Sequence, residues 1–364
     1  MPDRVDSLDA FRGLTMAAMV VVNNPGTWDA MYWPLEHAEW HGCTPTDLIF
    51  PFFLFIVGVS LALSKATLSS PWWKIARRAA VIVGLGLFLA GFPFFNPAKW
   101  RIPGILQRIG ICYLAAATVF RMVQPPARGD GWRRQAILLA SIIAVIVLGY
   151  WLLLTRFGDL TPEGNVGARI DRALFGTHLY RSQWDPEGLL SSLPAIATTL
   201  IGVMTGLCLR SSTTSTNKWF SMEIWGIAML WAGQLWNRWL PLNKQLWTGS
   251  FVLFTGGAAL ILFAVCYVVI DVRGVRAWSK PLVILGRNAI ALFVLSGLIG
   301  KSLLLLNVSR PDGNRESLQW TIYERGFSWM AEPKNASLIY SLAFLAMMYA
   351  VCHLMYQRKL FLRA

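Results

Sequence analysis

The chain has 364 residues, a mean hydropathy of +0.48 and only 14% charged residues, where a soluble domain carries roughly a quarter. Repeated apolar runs of about 20 residues, each long enough to cross a bilayer, exclude an ordinary soluble domain. The net charge of +14 would suggest a nucleic-acid partner in a soluble protein. In a membrane protein the same charges act as cytoplasmic topology signals, so lipid rather than nucleic acid is the expected partner.

The fold expected is all-α and polytopic, a single domain over 1–364 with ten spans near 9–24, 46–66, 75–95, 104–123, 134–155, 188–209, 219–239, 247–271, 281–305 and 337–357. The first span needs Asp9, Arg12 and Asn23 inside its helix. Asp9 and Arg12 are three apart and share a face. Arg12 and Asn23 are eleven apart, nearly three turns, so they lie on one polar stripe. Asp9 and Arg12 also read as an ion pair at the headgroups. Arg4 and Arg12 precede an apolar run without a small-residue cleavage site, so the segment is expected to be retained as a helix.

The stretch from Asn23 to Pro51 comes next and contains no Lys or Arg. It carries His37 and His41, four apart, with Glu36 and Glu39 beside them. An imidazole both takes and returns a proton near neutral pH, which makes a general base conceivable here. Thr44-x-x-Asp47 has the form of a capping box at the start of span two; a plain cap and a catalytic role both fit Asp47. Trp28 and Trp33 read as interfacial anchors, while Trp40 lies between the two histidines. Ser60, deeper on span two, suits a bond to a backbone carbonyl.

Span four opens with Arg101-Ile-Pro-Gly-Ile-Leu-Gln107-Arg108. Arg108 falls a turn into the span, where lipid exposure is costly, so it should face the bundle interior with Asp47 or Asp9 as partner. Span nine begins with Gly286-Arg287-Asn288. Arg287 alone suits snorkelling to the headgroups; Asn288 beside it does not. His178 and His353 read as structural.

Orientation follows the basic residues. With the N-terminus in the cytoplasm, the inner segments collect Arg4, Arg12, Lys65, Lys74, Arg77, Arg78, Arg121, Arg128, Arg133, Arg134, Arg210 and Lys218, and later Arg273, Arg276, Lys280, Arg287, Arg358, Lys359 and Arg363. Both termini are then cytoplasmic. Two long outer loops, 156–187 and 306–336, are broken by Pro and Gly, among them Pro162, Pro311 and Gly313, and read as structured loops. The five cysteines are scattered without a CxxC pair or a Cys/His cluster, so neither disulfides nor a metal site is expected.

Four segments carry a resemblance: SLDAFRGLTMAAMVVVNNPG (7–26), EHAEWHGCTPTDLIFPFFLFIVGVS (36–60), RIPGILQRIG (101–110) and LGRNAIALFV (285–294). Together they resemble the membrane catalytic domain of the heparan-α-glucosaminide N-acetyltransferase family, in span order over the whole chain. The resemblance implies transfer of an acetyl group from cytoplasmic acetyl-CoA to the amine of a glucosamine on the far side of the membrane. The family's catalytic histidine falls on His37, and a family asparagine at the outer end of the first helix falls on Asn23. The animal enzymes carry a lumenal segment before the membrane domain and few residues precede span one here, so a bacterial amino sugar or glycan fragment is the expected acceptor, and a bacterial inner membrane the expected location. On this reading His37 is the base or a transient acetyl carrier, Asn23 the oxyanion donor and Asp47 the holder of His37 or Arg108. Trp40, Arg101, Gln107, Arg108 and Asn288 are expected on the acceptor, and Arg12, Lys65, Arg78 and Arg287 on the phosphates of the donor. A homodimer is left open. The alternative class is a transporter of amino sugars, which also needs a buried polar seam.

Overall fold

The structure is a computed structural model that describes residues 5–124, 131–309, 315–330 and 332–362. Arg4, Arg128, Arg363, Pro311 and Gly313 lie outside the described residues. In chain order the helices are α1 (Asp6–Asn23), α2 (Ile49–Leu63), α3 (Lys65–Ser69), α4 (Trp72–Gly91), α5 (Ile105–Met122), α6 (Gly131–Phe157) and α7 (Val166–Phe175). There follow α8 (Ser192–Arg210), α9 (Ser215–Trp236) and α10 (Gly249–Cys266), which a π-helical turn Tyr267–Val272 continues. The last are α11 (Lys280–Arg287), α12 (Ala289–Leu305), α13 (Leu318–Phe327) and α14 (Pro333–Gln357). A short antiparallel hairpin, β1 (Asn307–Ser309) and β2 (Arg315–Ser317), pairs Asn307 with Ser317 between α12 and α13.

Each of the ten expected segments falls on a helix, yet among the described residues only six helices are long and apolar enough to cross a membrane. They are Pro45–Leu63, Ile105–Met122, Arg133–Phe157, Ser192–Arg210, Gly249–Val272 and Pro333–Gln357. A seventh is counted when α11 and α12, bent by 78° at their junction, are taken as one span. These helices make a multi-pass membrane protein. Among the longer helices that fall short, α1 carries Asp6, Asp9 and Arg12 and α4 carries Lys74, Arg77 and Arg78, while α9 carries Lys218 and Glu223 among further polar residues such as Asn217 and Gln234. The ninth expected span is broken rather than continuous. The second is entered through a 3₁₀ turn, Pro45–Leu48, and stops at Leu63, with α3 as a separate piece.

The chain divides into two compact units. The first comprises Met1–His37, Thr44–Ile49 and Val269–Arg363. Its centre is the crossing of α1 and α11, where two glycines let the backbones touch. A Cβ on Gly13 would lie 1.8 Å from the carbonyl oxygen of Leu282, and one on Gly286 would lie 1.9 Å from that of Asp9. Small residues at a crossing are how membrane helices gain close packing. Helix α1 ends at Asn23 because Asn24 leaves helical geometry (φ −133°, ψ 59°) and Pro25 cannot continue it. The loop that follows is pinned to α14: the Thr27 amide donates to Ser337 Oγ at 3.1 Å, and the Tyr32 hydroxyl to Asn335 Oδ1 at 2.6 Å. Gln319 on α13 donates to the Pro25 carbonyl at 2.8 Å. Tyr323, Ala336 and Tyr340 form the small core beneath, with Phe327 and Met330 against it.

The second unit comprises Ala38–Cys43 and Phe50–Val268. Helices α2 and α8 cross at a reciprocal pair: a Cβ on Gly58 would lie 1.9 Å from the Thr199 carbonyl oxygen, and one on Gly202 would lie 2.0 Å from that of Phe55. Helices α4 and α5, α6 and α8, and α9 and α10 pack pairwise around this crossing. Phe55, Phe120, Phe251, Phe263 and Trp247 fill the interior.

Candidate active site

The stretch around His37 is held by local turn chemistry. Pro34 and Pro45 set 3₁₀ turns at Trp33–Leu35 and Pro45–Leu48. Thr46 Oγ1 donates to the Pro34 carbonyl at 2.9 Å, and Thr44 Oγ1 to the Glu36 carbonyl at 2.6 Å, so the second turn is tied to the residues before His37. The expected capping box is present, with the Asp47 carboxylate accepting from the Thr44 amide at 3.1 Å, and the Asp47 amide closes the 3₁₀ turn on the Thr44 carbonyl at 3.0 Å. The other carboxylate oxygen of Asp47 accepts from His37 Nδ1 at 2.7 Å. Asp47 therefore both caps the turn and holds His37. The Asp47 side chain is 1% exposed and the His37 ring 46% exposed. An acceptor on Nδ1 fixes the proton there and leaves proton exchange to Nε2. Asn23, the last residue of α1, belongs to the same unit and is exposed. Its neighbour Asn24 instead turns inward and donates to the Val20 carbonyl at 2.9 Å.

The same unit gathers a second set. Arg12 donates to Asp9 Oδ1 at 2.9 Å, and Arg287 Nε lies 3.7 Å from Asp9 Oδ2, so Asp9 stands between two guanidiniums. Arg287 also donates to the Tyr356 hydroxyl at 3.2 Å and lies over that ring at 5.2 Å. The expected Asp9–Arg12 pair is thus real, and Arg287 is engaged inside the protein. Asn288, fully buried, sits at the break between α11 and α12; neither its nitrogen nor its oxygen has a hydrogen-bond partner.

In the second unit Arg108 is 1% exposed, as its depth required. Its partners are Gly188 and Ser191, not the carboxylates considered for it: Nη2 donates to the Gly188 carbonyl at 3.0 Å and to Ser191 Oγ. The guanidinium lies 5.2 Å over Trp247, and its Nε and Nη1 find no acceptor. Trp247 has φ +54°, a left-handed conformation that bulky residues rarely adopt. Its Nε1 bond to Thr198 at 3.1 Å and edge contacts with Phe50 and Phe251 hold it there. Gln107 donates to the Ile102 carbonyl at 3.0 Å. Arg101 is gripped by Asp185, at 2.9 and 2.5 Å, and by Glu187, with Tyr180 below it. Burial disfavours the charge on Arg101, but the two carboxylates outweigh that and raise its pKa. Nearby, burial pushes the Asp171 carboxyl up to about 6, although the Leu189 amide donates to it.

Trp40 is anchored by its indole N–H to the Leu160 carbonyl at 2.7 Å and stands edge-on to Trp184. His41 lies 3.3 Å from Asn243 Nδ2, and partial burial lowers its pKa. Arg78 lies 4.9 Å over Tyr113, and Lys65 opens α3 as an exposed residue. His178 accepts its structural role, bonded to the Trp100 carbonyl at 2.9 Å.

Sequence reasoning did not find Asp185, Glu187, Trp247 or Tyr356. Each meets its arginine across a long sequence separation, and none stands in a local motif. The one available signal was that a buried arginine must find acceptors or a ring somewhere.

Comparison with known proteins bears on this arrangement. The family profile described as heparan-alpha-glucosaminide N-acetyltransferase, catalytic, matches residues 4–236. The Homo sapiens heparan-alpha-glucosaminide N-acetyltransferase is 29% identical over 355 residues, covering 81% of this chain and 53% of that protein. The Mus musculus protein of the same name is 26% identical over 419 residues, covering 99% of this chain and 60% of its own length. The chain thus spans little more than half of these relatives. The profile takes in α1, the His37–Asp47 turn and the Arg101–Arg108 segment, well over half of the chain, and the chain belongs to the heparan-alpha-glucosaminide N-acetyltransferase catalytic family.

Proposed function

We propose that the protein is a transmembrane N-acetyltransferase that moves an acetyl group from cytoplasmic acetyl-CoA to the amine of a glucosamine-type sugar on the outer side of a bacterial inner membrane. The observation that carries this reading is the 2.7 Å contact between His37 Nδ1 and Asp47. An ammonium cannot attack a thioester, so the reaction needs a base that removes the amine proton as the new C–N bond forms. Nε2 of His37 takes that proton and returns it to the departing thiolate. Asp47 keeps the ring in the required tautomer and favours the imidazolium that forms. Asn23 donates its N–H to the oxygen of the tetrahedral intermediate. Acetyl-CoA supplies the activated acyl group. Arg12 and Arg287 of the first unit are one candidate set for its phosphates, and Lys65 and Arg78 of the second unit are a separate one. Trp40, Arg101, Gln107 and Arg108, all of the second unit, are offered to polar groups of the acceptor, Arg101 at the cost of its carboxylate partners.

This reading goes with one domain over 1–364, ten spans and cytoplasmic termini. Helices α1, α4 and α9 then cross the membrane despite their charges, with Asp9 of α1 and Lys218 of α9 buried in protein. A homodimer is compatible with it. The experiment is acetylation of glucosamine by purified protein with acetyl-CoA, with product read by mass. A second reading, transport of amino sugars, draws on the 78° break between α11 and α12, since interrupted membrane helices build transporter sites. Uptake of labelled sugar into proteoliposomes without an acetyl donor would favour it.

A further inference from the structure

We propose that Asn288 recognises the amide-bearing arm of the acyl donor, a role that rests on the acetyl-CoA reading above and sharpens it. Among the described residues, the buried side-chain atoms without a hydrogen-bond partner include both Nδ2 and Oδ1 of Asn288, Nε of Arg287 and Oγ of Ser7. All three residues belong to the first unit. Arg287 and Asn288 follow Gly286, which meets the Asp9 backbone of α1, and Ser7 lies two residues before Asp9. Asn288 is 0% exposed. Its backbone is satisfied, with its amide on the Leu285 carbonyl at 3.1 Å and its carbonyl taken by the Leu292 amide at 2.8 Å. Only the carboxamide is idle. It makes no cap for α12, so helix chemistry does not explain its presence.

A buried carboxamide with neither end paired is destabilising, and native proteins keep such groups rarely. Irregular backbone at membrane depth is tolerated where it lines a site or is enclosed by protein. The 78° break supplies such a place. The chemistry of the idle atoms specifies the guest. One donor and one acceptor on a neutral group call for a carbonyl and an N–H on a neutral chain, and the adjacent Arg287 calls for an anion further along the same molecule. The pantetheine arm of CoA carries two secondary amides and leads to phosphates. A sugar hydroxyl also donates and accepts, but a free sugar carries no phosphate further along for Arg287 to meet; an inorganic anion offers acceptors alone. Asn288 therefore donates to a carbonyl and accepts from an N–H of that arm, in place of the contact with the acceptor sugar that the sequence suggests.

The test is direct binding to the full chain in detergent, by calorimetry, with two probes. Acetyl-CoA carries the arm. Adenosine 3′,5′-bisphosphate carries the nucleotide end without it. Asn288→Ala and the size-matched Asn288→Leu are compared with wild type, and Tm is measured for each. The expected result is an acetyl-CoA Kd raised about tenfold, from loss of one to two hydrogen bonds, with bisphosphate binding unchanged and Tm equal or higher. Unchanged acetyl-CoA affinity in both variants would overturn the assignment while leaving the donor reading intact. Equal weakening of both probes with a fallen Tm would overturn it in favour of a purely structural break. No binding of acetyl-CoA by wild type would overturn the donor reading and this assignment with it.

Discussion

His37 Nδ1 lies 2.7 Å from Asp47 Oδ1, and the two side chains differ sharply in exposure, 46% against 1%. On the proposed mechanism the buried carboxylate orients the ring and the half-exposed ring meets the substrate. Asp47 is itself immobilised by the Thr44 amide at 3.1 Å, so the ring direction is set by a turn rather than by a mobile loop. Asp47→Asn keeps the shape and one acceptor but loses the tautomer control. Its kcat is expected to fall by about 10²–10⁴-fold with acceptor KM little changed. Its stability should fall by no more than about 1 kcal/mol, the typical worth of a cap. Steady-state kinetics with a Tm measurement checks both.

Arg108 tests whether a buried charge serves function or folding. Two of its nitrogens have no acceptor, and desolvating a guanidinium is expensive. Arg108→Met keeps the packing against Trp247 and removes that cost. The expected outcome is a Tm within a few degrees of wild type and acetyl transfer reduced more than tenfold. A large loss of stability would mark Arg108 as structural. Arg108→Lys should not rescue activity, because a lysine lacks the planar fork.

The glycine crossings give a stability contrast. Gly286→Ala places a methyl 1.9 Å from the Asp9 carbonyl oxygen, so α1 and α11 must separate, at a cost of about 1–3 kcal/mol or more. At Gly149 on α6 nothing lies within 4 Å, and Gly149→Ala should be neutral or stabilise by roughly 0.5–1 kcal/mol. Thermal unfolding of the two variants in one detergent compares them directly.

Asp171 makes the segment around α7 pH-sensitive. Burial holds its carboxyl at about 6 in the folded protein, against 3.8 without that burial. Between these values the unfolded chain has released a proton that the folded chain retains, so stability falls as pH rises from about 4 to about 6. The full penalty at neutral pH is at most about 3 kcal/mol, less where water reaches the carboxylate. Asp171→Asn retains an acceptor for the Leu189 amide and should flatten that slope. Unfolding midpoints at pH 4, 5, 6 and 7 check it.

What the sequence revealed was mostly local. The Thr44-x-x-Asp47 spacing announced the cap, the Asp9–Arg12 spacing announced the ion pair, and the depth of Arg108 announced its burial. The partner of Asp47 was left between His37 and Arg108, and turn geometry decides for His37. Pairings distant in sequence were out of reach: Arg101 meets Asp185 across 84 residues, and Asp9 meets Arg287 only because Gly13 and Gly286 let two helices touch. The break before Asn288 was hidden for another reason. The apolar run 281–305 continues on both sides of it, and hydropathy does not register a change of direction.

The most direct test of the account is acetyl transfer from acetyl-CoA to glucosamine by purified His37→Ala beside wild type, with acetyl-CoA affinity measured on the same samples. The expected result is a rate about 10²–10⁴-fold lower with donor affinity unchanged. A His37→Ala protein that transfers acetyl at the wild-type rate would contradict the assignment of His37 as the base.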